Sequence, residues 1–303
     1  MECEICRADA VISTNNGTFC ADHFKQKFEE ITLSTIKKYN LIKKGEKIAI
    51  ANSGGKDSLS LLYILSKYFK KSNRLISITI DEGINGYRDK TIEIMKDYCG
   101  RYGVDYKMYS YKEFTGQTMD AITKTRDGIP CSACGVLRRH LINYAASEVE
   151  ADKVATAHNL DDEAENVIMN LVQNDIEKMV RLGVYSGVIK EKGFVPRIKP
   201  FIFLSEKETM LFSMLNGINA IHTPCPYAGM GFRGLISRKI KQMETEFSGS
   251  KRNIIETMLE IKKEYTKKTT LSIKKCIYCG FPSAKEVCEA CNLKEELRKS
   301  PAI

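Results

Sequence analysis

The segment from Ile48 to Ser60, Ile-Ala-Ile-Ala-Asn-Ser-Gly-Gly-Lys-Asp-Ser-Leu-Ser, constrains the fold of this chain more than any other. Ile48, Ala49, Ile50 and Ala51 form a short apolar run suited to a parallel strand covered on both faces, and Gly54-Gly55 lets the backbone turn without Cβ clashes. A helix is expected to begin near Asp57, because Leu61, Leu62, Leu65, Tyr68 and Phe69 recur at helical spacing. Free N–H groups in its first turn would face whatever sits over the glycines, a geometry that suits a phosphate. The motif is not the G-x-x-x-x-G-K-[ST] loop, because Lys56 is followed by Asp57 rather than by Ser or Thr.

Ser53, Gly54, Gly55, Lys56, Asp57 and Ser58 resemble, at every position, the PP-loop of ATP pyrophosphatases. That resemblance implies a grip on the pyrophosphate end of ATP, attack of a nucleophile on the α-phosphorus, and hence adenylation. The competing reading is an ordinary glycine turn before an amphipathic helix. Strand, turn and helix in the required order weigh against it.

The chain has 303 residues, 43% of them hydrophobic, enough for one substantial core with small appended modules. It opens with Met-Glu-Cys-Glu-Ile-Cys and contains no apolar run approaching about 18 residues, so neither a leader nor a membrane span is expected, and the expected location is cytoplasmic. There are 11 cysteines, mostly in Cys-x-x-Cys pairs, which in a reducing compartment argues for metal ligands over disulfides. The net charge of +9 implies affinity for a polyanion. Cys3, Cys6, Cys20 and His23 form two knuckles with the spacing of a closed tetrahedral zinc site, and Cys276, Cys279, Cys288 and Cys291 have that of a four-cysteine zinc ribbon. Two Zn²⁺ ions are therefore expected. The first segment is too short to bury a core, so the metal is expected to fold it.

Between the zinc modules, strand-like and helix-like stretches alternate, which means an α/β fold with a parallel sheet. The expected division is residues 1–28 for the first finger, 29–248 for the nucleotide domain, 249–272 for a basic helix and linker, and 273–303 for the ribbon. Leu75 to Ile80 reads as the second strand, Tyr87 to Tyr102 as a helix and Asp105 to Ser110 as the third strand. Cys131 and Cys134 are placed just before a helix running to about Val149, with Arg138 and Arg139 close enough to favour thiolates or to hold a phosphate. Lys153 to Thr156 is a further short strand, and His158 to Ala164 then opens a helix, where Asp161 or Asp162 suits the Mg²⁺ that accompanies ATP. Arg197 to Phe203 reads as another strand, and Ser205-Glu-Lys-Glu caps a helix. Two prolines pin Cys225 in a rigid turn, and Phe232 to Phe247 and Lys251 to Lys268 are basic helices.

The two zinc modules, the PP-loop, Cys131-x2-Cys134-Gly135, His158 to Asp162 and Thr223-Pro-Cys225-Pro together resemble the tRNA 2-thiouridine synthetases of the TtcA/TtuA class, nearly from end to end. The resemblance implies a tRNA sulfurtransferase that adenylates O2 of a uridine with ATP and replaces the oxygen with sulfur. It implies a [4Fe-4S] cluster on Cys131, Cys134 and Cys225, with one iron lacking a protein ligand. It places the adenine near Ile80, gives Lys56 and Asp57 the phosphates, and makes Asp161 the Mg²⁺ or catalytic carboxylate. tRNA, a sulfur donor (sulfide or a sulfur-carrier protein) and a second copy of the chain are the implied partners, with uridine 34 or 54 as the target. The alternatives are another PP-loop adenylating enzyme, lysidine synthetase-like, or a non-catalytic zinc-dependent RNA-binding protein.

Overall fold

The computed structural model describes residues 1–186, 194–221, 223–228, 231–266, 274–283 and 285–299. A hairpin of β1 (Ile12–Thr14) and β2 (Gly17–Phe19) leads into α1 (Ala21–Lys38), then β3 (Lys47–Ala51), α2 (Lys56–Phe69), β4 (Arg74–Asp81), α3 (Arg88–Tyr102) and β5 (Asp105–Ser110). Two short helices, α4 (Tyr111–Thr115) and α5 (Met119–Thr125), precede α6 (Pro130–Glu148), β6 (Lys153–Ala155), α7 (Leu160–Val172) and α8 (Ile176–Val180). Next come β7 (Tyr185–Ser186), β8 (Arg197–Ile198), α9 (Glu206–Leu215), α10 (Phe232–Glu246) and α11 (Ser250–Thr266), and the tail holds β9 (Lys274–Lys275), β10 (Pro282–Ser283) and α12 (Glu289–Lys299).

The central sheet has six strands in the order β5-β4-β3-β6-β8-β7. All pairs are parallel except β7 with β8. The chain leaves β3 toward β4 and β5, then returns to the other side of β3 as β6. This reversal opens a crevice at the carboxyl ends of β3 and β6, where open sheets bind ligands. Ile48, Ala49 and Ile50 of β3 are fully buried, as a run covered on both faces requires.

Two readings need correction. The strand expected over Arg197 to Phe203 ends at Ile198, because Pro200 has no N–H to extend the ladder and residues 200–203 turn instead. Cys131 and Cys134 lie inside α6, not ahead of it: Pro130 takes the first helical position, where its missing N–H costs nothing. The helix expected within residues 249–272 is α11, Ser250–Thr266, which packs on α7 with Ile255 and Met258 buried. The rest of that stretch, including the expected end of the helix at Lys268, lies outside the described residues.

The first finger is also no separate bead. Cys3, Ile12, Phe19, Phe24 and Phe28 belong to the same apolar core as Leu62, Leu65 and Phe212, and Phe28 stacks on Phe212 with ring centroids 4.0 Å apart. α1 runs unbroken across the boundary expected after residue 28. Thr14 and Asn16 donate to Glu208 at 2.9 and 2.8 Å, and Arg252 donates to Asn16 at 2.9 Å, so polar contacts pin the hairpin to α9 and α11. At the other end, Leu293 and Leu297 of α12 share a core with Leu137 and Leu141 of α6, and Phe281 packs edge-on against His140.

Candidate active site

The glycine loop is a preformed anion cradle at the end of β3. Asn52, 2% exposed, accepts from the Gly54 N–H and from the Ser58 hydroxyl, both at 3.0 Å, which ties the turn to the first turn of α2. Gly54 sits at φ +78, and a Cβ there would lie 2.0 Å from the Thr91 carbonyl oxygen, so only glycine fits. Ser53 Oγ and Ser58 Oγ are 3.2 Å apart. Lys56 Nζ donates to Asp57 Oδ2 at 2.8 Å and lies 3.9 Å from Glu206. Ile80 is 5% exposed, so little of its side chain is free to meet a base.

The carboxylates across the crevice differ in availability. Asp161 is committed on both oxygens: one is in an ion pair with Lys251 Nζ, the other accepts from the Glu206 N–H at 2.8 Å, closing α9. The carboxylate expected to hold Mg²⁺ thus anchors α7 to α9 and α11. Asp162 and Asp57 carry the opposite signature. Burial pushes the Asp162 carboxyl up to about 7, against the Asn159 N–H that lowers it, and the Asp57 charge raises it further. Asp57 Oδ1 is buried with no hydrogen-bond partner. An orphaned buried oxygen on a carboxylate whose charge is felt by a second carboxylate is a donor set that suits a hard divalent cation.

Cys131 and Cys134 stand one turn apart at the start of α6, and Cys225 packs into the same cluster from the loop before α10. Burial raises the Cys225 thiol, and the Cys134 and Cys131 charges add to the rise. Cys131 Sγ donates to the Tyr227 carbonyl at 3.2 Å. These three sulfurs are not all within the 4.8 Å that gathers either terminal set, so they are spaced more widely than the ligands of a single ion. Three cysteine sulfurs are the soft donor set that an iron–sulfur cluster takes.

Arg138 donates to Cys134 Sγ at 3.2 Å and pairs with Glu82 at 3.0 Å. Arg139 lies in a group of guanidinium ions that sequence reading did not assemble: desolvation, then Arg138 and Arg233, lower its pKa. Desolvation and Arg139 bring Arg197 down to about 10. Cations held together against their repulsion invite a phosphate. Glu82, Arg88, Asn52 and Asp162 likewise gain their importance only from tertiary neighbours.

The terminal sets are compact. Among the described residues, Cys3, Cys6, Cys20 and His23 form one group and Cys276, Cys279, Cys288 and Cys291 another, each with ligand atoms within 4.8 Å. A tetrahedral site with Zn–S of about 2.3 Å has ligand–ligand edges of about 3.8 Å. Cys279 and Cys288 sulfurs are 3.8 Å apart and Cys6 and Cys20 3.7 Å. The Cys288 N–H reaches Cys276 Sγ at 3.3 Å, the outer hydrogen bond expected of a thiolate ligand.

Residues 21–194 match the PP-loop domain family. The chain is 33% identical to a probable sulfurtransferase of Methanocaldococcus jannaschii, over 94% of this chain and 84% of that protein. It is 35% identical to the cytoplasmic tRNA 2-thiolation protein 1 of Arabidopsis thaliana, over 92% and 79%. The structure superposes with a TM-score of 0.83 and 32% identity on the U34-tRNA thiolase NcsA of Methanococcus maripaludis, determined with its [4Fe-4S] cluster, covering 98% of this chain and 96% of that one. The chain belongs to the PP-loop family of tRNA 2-thiolation proteins.

Proposed function

We propose that this protein is a cytoplasmic, ATP-dependent tRNA uridine 2-sulfurtransferase. The observation that carries the reading is the meeting of a phosphate cradle, an unsatisfied carboxylate and the Cys131–Cys134 helix start at one end of one sheet. The resemblance to the TtcA/TtuA class leaves two target uridines. The likeness to a U34 thiolase supports position 34 over 54.

In this reaction the uridine O2 attacks the α-phosphorus of ATP, the new P–O bond forming as pyrophosphate leaves. Sulfur then adds at C2, and the C2–O2 bond breaks with loss of AMP. Ser53, Gly54, Gly55 and Ser58 hold the phosphates through N–H and hydroxyl donors, and Lys56 offsets charge on the leaving pyrophosphate. Asp57 and Asp162, rather than Asp161, are the pair placed to hold Mg²⁺. Cys131, Cys134 and Cys225 would hold a [4Fe-4S] cluster, which would supply a metal site for inorganic sulfur. Arg138, Arg139, Arg197 and Arg233 meet the tRNA backbone, and the terminal Cys/His sets hold one Zn²⁺ each. The sulfur comes from sulfide or a carrier protein, and the working form is a homodimer.

The test is an anaerobic reaction of iron-loaded protein with tRNA, ATP and sulfide, read as AMP release and as 2-thiouridine by nucleoside mass spectrometry. Equal amounts of AMP and 2-thiouridine are expected, both absent for Lys56→Ala. Thiolation without AMP, or full turnover by Lys56→Ala, defeats the reading.

A further inference from the structure

Glu82 is a buried carboxylate that the reaction above does not use. It follows β4, is 4% exposed, and sits on a fixed backbone: its carbonyl accepts from Met119 N–H at 2.7 Å. Gly83 after it has φ +66, with Thr118 filling the space of any Cβ. One Glu82 oxygen is 2.6 Å from Arg88 Nε, an ion pair in which the two atoms are close but not aligned as a hydrogen bond, and the other is 3.0 Å from Arg138 Nε. Both guanidinium ions reach onward. Arg88, itself 3% exposed, donates to the Ser53 carbonyl at 2.7 Å, to Thr91 Oγ1 at 2.8 Å and to the Ile80 carbonyl at 2.6 Å. Arg138 donates to Cys134 Sγ at 3.2 Å.

A continuous line of charged contacts therefore runs from the backbone of the glycine loop to a cysteine sulfur, with Glu82 in its middle. Its links are planar groups, Glu82 held between two guanidinium ions and Arg88 fixed further by Ser53, Thr91 and Ile80, and at the buried Glu82–Arg88 pair Coulomb forces are weakly screened. We propose that Glu82 is a positioning residue that couples the nucleotide site to the cysteine site, so that the occupancy of one sets the affinity of the other. The proposal rests on reading Cys131, Cys134 and Cys225 as an iron–sulfur site. Phosphate at the loop bears on the Ser53 peptide, and through Arg88, Glu82 and Arg138 on the sulfur. By linkage the effect is reciprocal, and iron at Cys134 alters nucleotide affinity equally.

The experiment titrates full-length protein with α,β-methylene-ATP by calorimetry, in iron-loaded and iron-free preparations of equal zinc content. The native chain should show dissociation constants differing by about fivefold or more between the two, the lower range of a coupled pair. Glu82→Gln, which keeps shape and removes charge, should hold zinc, bind the analogue and show a ratio within about twofold of one. Arg138→Gln breaks the line at its half-exposed end and should give the same loss; if Glu82→Gln does not fold, this variant decides. A native ratio of one with iron bound, or a native ratio kept by the folded variants, overturns the coupling. Native protein that takes up no iron under any condition overturns the reading of the cysteine site, and this proposal with it.

Discussion

Asp161 and Lys251, 90 positions apart in sequence, form an ion pair in which neither side chain is more than 10% exposed. The pair bolts the first turn of α7 to the first turn of α11. Lys251→Met strands a buried carboxylate and should cost about 3–5 kcal/mol in chemical denaturation. Asp161→Asn with Lys251→Met should recover most of that loss and keep nucleotide affinity. Loss of Mg-ATP binding by a folded Asp161→Asn protein would return Asp161 to the metal.

Asp162 behaves in the opposite sense with pH. Its folded pKa, about 7, lies above the unfolded 3.8, so the folded state binds the extra proton and the ionised carboxyl penalises folding. In magnesium-free buffer, Asp162→Asn should therefore be more stable than the native chain above pH 7, with the gain shrinking as pH falls and gone near pH 4. Thermal melts across this window check it. The same variant should lose magnesium-dependent AMP formation.

Gly54→Ala should abolish nucleotide binding, because the methyl meets the Thr91 carbonyl rather than a side chain that can move. Gly55→Ala is the matched control: the nearest atom to its Cβ is Ser53 Oγ at 3.4 Å, an ordinary contact. Equal effects in a binding titration would show that backbone crowding at Gly54 is not the cause.

Arg139→Gln and Arg233→Gln should each weaken tRNA binding across sequences and reduce the salt slope of the affinity by about one, as loss of one phosphate contact does. Unchanged salt slopes in filter binding would place tRNA elsewhere.

The two terminal metal sets should fail differently. Cys20→Ser opens a finger whose apolar side is continuous with the main core, so the melting temperature of the whole chain should fall. Cys279→Ser should spare that transition and loosen the tail packed on α6, lowering tRNA affinity more than ATP affinity. A single equal shift in both variants would contradict this division.

Local grammar was readable where the signal is local. β5 spans Asp105–Ser110 and α9 begins with the Ser205/Glu208 capping box, both as expected, because turn chemistry and periodicity act over a few residues. The glycine loop was legible for the same reason. Asp161 and Asp162 could not be told apart from sequence: they are neighbours on one helical turn, and only Lys251, Glu206 and Asp57, all distant in the chain, decide which is engaged. The arginine group is equally a product of tertiary assembly. The start of α6 is different, since Pro130 was a local signal that pointed to a helix beginning before the cysteines.

The placement of the first hairpin has a consequence for how the chain is made. Thr14 and Asn16 bond to residues 194 and 236 positions later. At about 5–20 residues per second, these partners leave the ribosome roughly ten seconds to a minute after the hairpin does. The earliest segment to be synthesised is thus among the last to be locked. Until α9 and α11 arrive, Thr14 and Asn16 lack these partners and Phe28 lacks Phe212, so the finger can rest only on the part of the core that α1 and α2 supply.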